Sequence, residues 1–368
     1  PGCQILIARN GTVIYEKAFG FHTYEKKQEV KLTDLYDLAS ITKIAASLPG
    51  IMQLVETKKI DLDKGFGDYL PDLKKSNKSH VLLKKALTHH GQLQSWIPFY
   101  LNTLENNKPK YDLYRRKKQV GFNTQVADDL FILDSYHDSI FLQITESDLL
   151  EKEEYKYSDL GYYLFKKIIE QKTGMDLEDY VKQNLNTPLG ANYLCYNPLK
   201  DFNKSEITPT ENDKIFRNQI VHGYVHDPGA AMIGGVGGHA GMFSNANDLA
   251  KFMQMYLNGG KYGGHRYFKS STIEQFNSTP YLKDENRRAI GFDKPEMDFE
   301  KEGPTFQGIS AKSFGHTGFT GTMAWADPDK QIVYIFLSNR IHPDAGNIKL
   351  VKMNVRTNIQ EAIYKALK

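Results

Sequence analysis

Few folds accommodate a chain that both opens and closes on β-hairpins. Residues 3–9 (CQILIAR) and 12–18 (TVIYEKA) are β-prone runs joined by Asn10-Gly11. Both positions of such a two-residue turn need positive φ, which Asn and Gly tolerate best. At the far end, Met323 to Ala326, the turn Asp327-Pro328-Asp329-Lys330 and Ile332 to Leu337 form a second hairpin pattern. Mostly helical spacing lies between them. The expected class is α+β: one mainly antiparallel sheet built from both termini and flanked by helices, with a mainly helical region inserted. The expected subdomains are 1–38 plus 225–368, containing the sheet, and 39–224, mainly helical.

Within the insertion, Ile44, Leu48, Ile51, Leu54 and Val55 recur at helical spacing from about Ser40. Pro49-Gly50 should kink or split that helix. Val81 to Thr88 reads as a short helix. Residues 101–150 are polar and expected to wander over the surface with short helices. The helical period returns at Leu160, Leu164, Ile168 and Ile169 and ends at Gly174, followed by a helix from Leu177 to Leu185. Asn247 to Leu257 and about Leu350 to Leu367 read as helices. The glycine-rich stretch 229–241 (GAAMIGGVGGHAG) lacks the strand–loop–helix frame and Lys-Ser/Thr of a phosphate loop. It is expected to be a packed turn where backbone approaches backbone or ligand.

Composition narrows the function. The 368 residues, 40% of them hydrophobic, suffice for a large core. The net charge of +3 is dispersed, so no basic face suggests nucleic acid. No apolar run is long enough to cross a bilayer. Cys3 and Cys195 allow one disulfide or two free buried thiols. The first strand begins at once at Pro1-Gly2-Cys3, with no leader before it, so the expectation is an excised or processed part of a longer protein.

Three short motifs carry chemistry. Ser40-Ile41-Thr42-Lys43 is S-x-x-K at an expected helix start. Residues three apart on a helix share a face, which brings the Lys43 amine near the Ser40 hydroxyl. A serine is a weak nucleophile until a neighbour takes its proton. The positive end of the helix and burial should both disfavour a charged lysine. Tyr157-Ser158-Asp159 precedes the helix at Leu160, and His316-Thr317-Gly318 precedes the terminal hairpin. Each has a plain alternative. Tyr157 could cap a core, Asp159 could be a helix N-terminal charge and His316 a strand-edge residue. The order of all three is more specific than any one of them.

On these motifs, and on the stretches PGCQILIARNGTVIYEKAFG, LASITK, LTHHGQL, YSDLGYY, VHDPGAAMIGGVGGHAGMFS and FGHTGFTGT, the chain resembles the class C β-lactamase, penicillin-binding-protein and family VIII esterase superfamily along its whole length. It is most similar to the serine-hydrolase domain found behind family 3 glycoside hydrolases. The resemblance implies a β-lactamase/transpeptidase-like fold and a serine hydrolase that forms an acyl-enzyme on an ester or amide. Ser40 is then the nucleophile, Lys43 and Tyr157 move protons, with Tyr157 the direct base, and Asp159 and His316 complete the catalytic group. The backbone N–H groups of Ser40 and Phe319 would form the oxyanion hole. Thr317, Gly318, Thr320 and Arg340 would bind substrate, although a surface salt bridge is an equal reading of Arg340. Protonated His316, with Lys43, would supply the positive charge that a tyrosine base needs.

The resemblance further implies an extracytoplasmic protein with a small-molecule or peptide substrate, a covalently linked glycoside hydrolase domain as a possible partner, and no cofactor. Class C enzymes usually carry Asn at Asp159 and Lys at His316; both departures fit esterase- or peptidase-like members better. They also leave room for a catalytically weak or inactive domain that binds cell-wall fragments. His222 and His226 have helical metal-ligand spacing, but Gly223 and Asp227-Pro228-Gly229 argue against a helix, so no metal site is expected. His89, His90 and His239 are expected as hydrogen-bonded structural histidines near the site.

Overall fold

The computed structural model describes residues 1–367. The two terminal hairpins do meet in one sheet. Its strands are β1 (Cys3–Arg9), β2 (Thr12–Phe19), β3 (Phe314–Thr317), β4 (Met323–Asp327) and β5 (Ile332–Ser338), in the order β3-β4-β5-β1-β2. All pairings are antiparallel; β1 runs beside β5 from Cys3 opposite Ser338 to Arg9 opposite Ile332. Asn10 and Gly11 take the positive φ values, 51° and 77°, that the hairpin turn requires.

The two-residue period of the strands divides the sheet between two cores. Leu6, Ala8, Ala324, Ala326, Val333, Ile335 and Leu337 join the main core. The helix Ala246–Leu257 covers that face. Ile5, Ile7, Met323, Trp325, Tyr334 and Phe336 instead meet the C-terminal segment through Ile359, Ile363 and Tyr364. This mixed helix and antiparallel-sheet architecture agrees with the expected class. Among the described residues no helix is long and apolar enough to cross a membrane.

Several segments differ from expectation. The helix after Ser40 is not split at Pro49. It opens with a 3₁₀ turn (Ala39–Ile41), passes through a π turn (Lys43–Ser47) and becomes regular α-helix at Leu48–Glu56, with Pro49 in its first turn. Pro49 has no N–H to give, so a wider turn with the Leu48 N–H on the Lys43 carbonyl absorbs the mismatch. Residues 101–150 do more than wander. They form a three-stranded sheet (Tyr114–Arg115, Leu130–Ile132, Thr124–Ala127) and a helix, Tyr136–Glu146, that bury Val126, Leu130, Ile132, Ile140 and Ile144. Strands of two to four residues are too short for alternation to show in a polar sequence. The last helix is two, Lys349–Lys352 and Val355–Ala366, broken where Asn354 takes φ 51°. Cys3 and Cys195 are free thiols.

The glycine-rich stretch begins inside a short helix, Pro228–Met232, which the expectation lacked; the rest, 233–241, is a packed turn. A Cβ on Gly238 would stand 2.1 Å from the Tyr162 carbonyl oxygen and 2.8 Å from Ser47 Oγ. That close approach brings the Gly238 carbonyl within 2.7 Å of Ser47 Oγ, which donates to it, so the turn is fastened to the helix that follows Ser40.

Candidate active site

The turn that presents Ser40 is held from below by Asp37. Ala39, just before the serine, takes φ 46°, a strained conformation for a residue with a Cβ. Its N–H donates to Asp37 Oδ1 at 2.8 Å, and the His226 N–H donates to Asp37 Oδ2 at 2.7 Å. Burial nevertheless holds the Asp37 carboxyl above its usual range, partly offset by these two N–H groups. The third motif closes on the same turn. Thr320 Oγ1 donates to the Asp37 carbonyl at 2.7 Å and Thr322 Oγ1 to the Leu38 carbonyl at 3.2 Å. A Cβ on Gly318 would fall 2.5 Å from the Leu38 oxygen and 2.1 Å from Thr322 Oγ1, so only glycine permits this contact.

The first and second motifs meet at Lys43. The side chain is fully buried, and its Nζ has three partners: Asp159 Oδ1 at 2.6 Å, Ser40 Oγ at 3.0 Å and the His239 carbonyl at 3.2 Å. Burial pulls the ammonium down, but the Asp159 carboxylate, with help from Tyr157, more than offsets it and holds Lys43 above its ordinary value. This corrects the expectation that burial and the helix end would favour the neutral amine. The ion pair outweighs both, and Lys43 rests as an ammonium that donates to Ser40.

Tyr157 lies beside this pair. Its Oη is buried and, among the described residues, without a hydrogen-bond partner. The ring is 4.4 Å from that of His89 and 6.1 Å from that of His316, centroid to centroid, with Lys43 Nζ 5.1 Å away on one flank. Burial raises the phenol's pKa; the Lys43 and Arg288 charges offset only part of that, and Asp159 adds to it. His316 is buried and stays neutral, because burial and the nearby Arg288 and Lys43 charges hold it well below its ordinary value. Its Nδ1 lies 2.7 Å from the Thr317 carbonyl, which can only accept, so Nδ1 carries the proton. Nε2 then faces Arg288 Nη2 at 3.4 Å as an acceptor. The expectation of a protonated His316 is therefore corrected: a second cation already occupies the space that a ring proton would need.

The motifs open on a cavity of about 1150 Å³ lined by Ser40, Tyr157, Asp159, Arg288, His316, Thr317, Gly318, Phe319 and Arg340, with Trp96, Tyr100 and Tyr155 as aromatic walls. Among the described residues, neither the Ser40 nor the Phe319 backbone N–H has an internal acceptor. The Phe319 ring, 54% exposed, lies between the His226 ring (5.5 Å) and the Arg340 guanidinium (4.9 Å). Among the described residues Arg340 makes no surface salt bridge; it donates to the carbonyls of Ala345 and Asn347. Thr320 departs from expectation. It is fully buried, off the cavity wall, and its hydroxyl is engaged by Asp37, so it fastens the loop and does not face substrate.

His89 and His239 are hydrogen-bonded as expected: His89 Nδ1 accepts from the Ser158 N–H at 3.1 Å, and His239 Nε2 pairs with Asp227 at 2.9 Å. His90 departs from expectation: it is buried, but among the described residues its Nδ1 has no hydrogen-bond partner, and its ring stacks on Tyr281 at 4.6 Å between centroids. His222 and His226 do not converge: one meets the Ile207 carbonyl and the other Glu211. Sequence reasoning missed three residues. Asp227 caps the helix Pro228–Met232 and, through His239, steadies the carbonyl that meets Lys43; its Asp-Pro signature at a helix start was readable. Asp37 lies three residues before Ser40 with no signal of its own. Arg288 stands in a polar loop that nothing in the sequence marks.

A serine hydroxyl held by a buried lysine, a tyrosine beside it and two free backbone donors at one cavity are the parts of a serine hydrolase of the acyl-enzyme kind. The chain belongs to the β-lactamase family: the family's sequence model, described as Beta-lactamase, matches residues 1–352. It is 31% identical over 365 residues, 93% of this chain and 79% of the other, to an Escherichia coli (strain K12) protein named "Putative D-alanyl-D-alanine carboxypeptidase". Its fold is similar to the penicillin-binding protein of Bacillus halodurans (TM-score 0.67, 14% identity, 96% and 95% of the two chains). It is also similar to a family VIII carboxylesterase (TM-score 0.62, 18% identity, 92% and 86%).

Proposed function

We propose that Ser40 is the nucleophile of an acyl-transfer hydrolysis whose substrate is a peptide or small ester or amide. The contact of Lys43 Nζ with Ser40 Oγ, 3.0 Å, at the wall of a large open cavity carries this reading. Ser40 Oγ attacks the acyl carbon. Its proton passes into the Lys43–Tyr157–Asp159 cluster and returns to the leaving group, and water then releases the acyl group by the reverse path. The Ser40 and Phe319 N–H groups hold the developing oxyanion. Thr317, Gly318 and Arg340 bind the distal end of the substrate, where the Arg340 guanidinium suits a carboxylate. The name of the 31%-identical relative favours a D-alanyl peptide, and by the same likeness an extracytoplasmic place near the cell wall. An attached glycoside hydrolase domain and the division into subdomains 1–38 plus 225–368 and 39–224 remain part of this proposal.

A fluorophosphonate or penicillin probe should add mass at Ser40 in the folded protein and none in Ser40→Ala; equal labelling of both would overturn the reading. One observation favours a second reading, a weakly active domain that binds cell-wall fragments: Lys43 rests charged and donates to Ser40. Saturable binding of D-Ala-D-Ala peptides without turnover of peptides, nitrophenyl esters or nitrocefin would select it.

A further inference from the structure

Two cations flank the Tyr157 ring, and the motifs account for only one. Arg288 is buried, lines the cavity and has its guanidinium carbon 5.3 Å from the ring centroid. Among the described residues its Nε and Nη1 have no hydrogen-bond partner, although Nη1 stands 3.4 Å from Asp293. That carboxylate is shared, since Arg287 holds it at 2.6 Å. The groups facing Tyr157 are Lys43 and Asp159, which neutralise each other, His89 and His316, both kept neutral by burial and the nearby cations, Tyr162, and Arg288. Lys43 has Asp159 to itself at 2.6 Å, whereas Arg288 shares Asp293, 3.4 Å away, with Arg287 at 2.6 Å, so the guanidinium is the less closely matched of the two cations beside Tyr157.

We propose that Arg288 is the electrostatic partner of Tyr157: its permanent charge, and not that of His316, lets the phenol release its proton for acylation. This rests on the function proposed above. The Tyr157 proton leaves to solvent water through the open cavity. The phenolate then takes the Ser40 Oγ proton as the Oγ–carbon bond forms and the carbonyl electron pair moves onto oxygen. It returns that proton to the leaving oxygen or nitrogen as the bond to the acyl carbon breaks. Arg288 acts through Tyr157 and is a positioning residue. The third motif of this chain has thus moved its charge from the strand to a neighbouring loop.

The test is the rate of Ser40 labelling by a fluorophosphonate against pH. In Arg288→Met the acid limb of the profile should move up by about 1–2 pH units, a roughly 10- to 100-fold loss at pH 7 that recovers at higher pH. Arg288→Lys should stay within a few-fold of the parent, and Arg288→Met with His316→Lys should return part of the loss. A loss equal at every pH, or none, would overturn the proposal. Ultraviolet difference titration against Tyr157→Phe reads the phenol without activity: an unchanged midpoint in Arg288→Met relative to the parent, or equal upward shifts in Arg288→Met and Arg288→Lys, would also overturn it. Failure of the parent to label Ser40 would instead remove the proposed function.

Discussion

The two flanks of Tyr157 handle charge by opposite means. On the helix side, the titratable cation Lys43 is kept charged by a carboxylate 2.6 Å away. On the strand side, the titratable group His316 is kept neutral, and the charge sits behind it on Arg288, which cannot lose its proton. The contrast teaches that a motif specifies residue types, while the nearest charge decides what those residues are at neutral pH. Burial pulls Lys43 and His316 in the same direction; of these two, only Lys43 has a carboxylate close enough to reverse it.

The helix side should fail hardest. Lys43→Ala removes the contact to Ser40 and leaves Asp159 without its cation, so probe labelling should fall on the order of 10³-fold. A loss under ten-fold would place proton transfer elsewhere. Asp159→Asn sharpens the contrast by sign. It removes a negative charge that raises the Tyr157 pKa, so the acid limb should move to lower pH, opposite to the loss of Arg288. The plateau rate should drop about 10-fold as Lys43 loses its anchor. Limbs moving the same way in both variants would erase the distinction.

The smallest effect is expected on the strand side. His316→Gln keeps a neutral hydrogen-bonding side chain, so labelling should change by less than about 10-fold. Stability should respond more. A histidine whose folded pKa is depressed contributes stability above its unfolded value near 6.5, and that stability is lost as pH falls below it, by up to about 1.4 kcal/mol per pH unit. Thermal melts between pH 7 and pH 5 should therefore fall less steeply in His316→Gln than in the parent. Equal slopes would mean that His316 does not resist protonation.

The terminal hairpins were legible because turn chemistry and alternation are local. Asn10-Gly11 and the strand pattern of Ile332 to Leu337 state their geometry within ten residues. The glycine-rich turn was legible in kind, but its partner, the Tyr162 carbonyl, is 76 residues away from Gly238 and invisible from either end. The small sheet within 101–150 was missed because two- to four-residue strands leave no period to read.

The candidate site divides the same way. Ser40, Lys43, Tyr157, Asp159 and His316 could be picked out because their chemistry is written in short ordered motifs. What only the folded chain decided was the state of each: Lys43 charged, His316 neutral, Thr320 turned under the serine and Arg288 brought beside the tyrosine. The reason is the range of the forces involved. Turn and helix preferences act between neighbours in sequence, whereas desolvation and charge–charge interactions act between neighbours in space. Those neighbours exist only once segments more than a hundred residues apart have packed together.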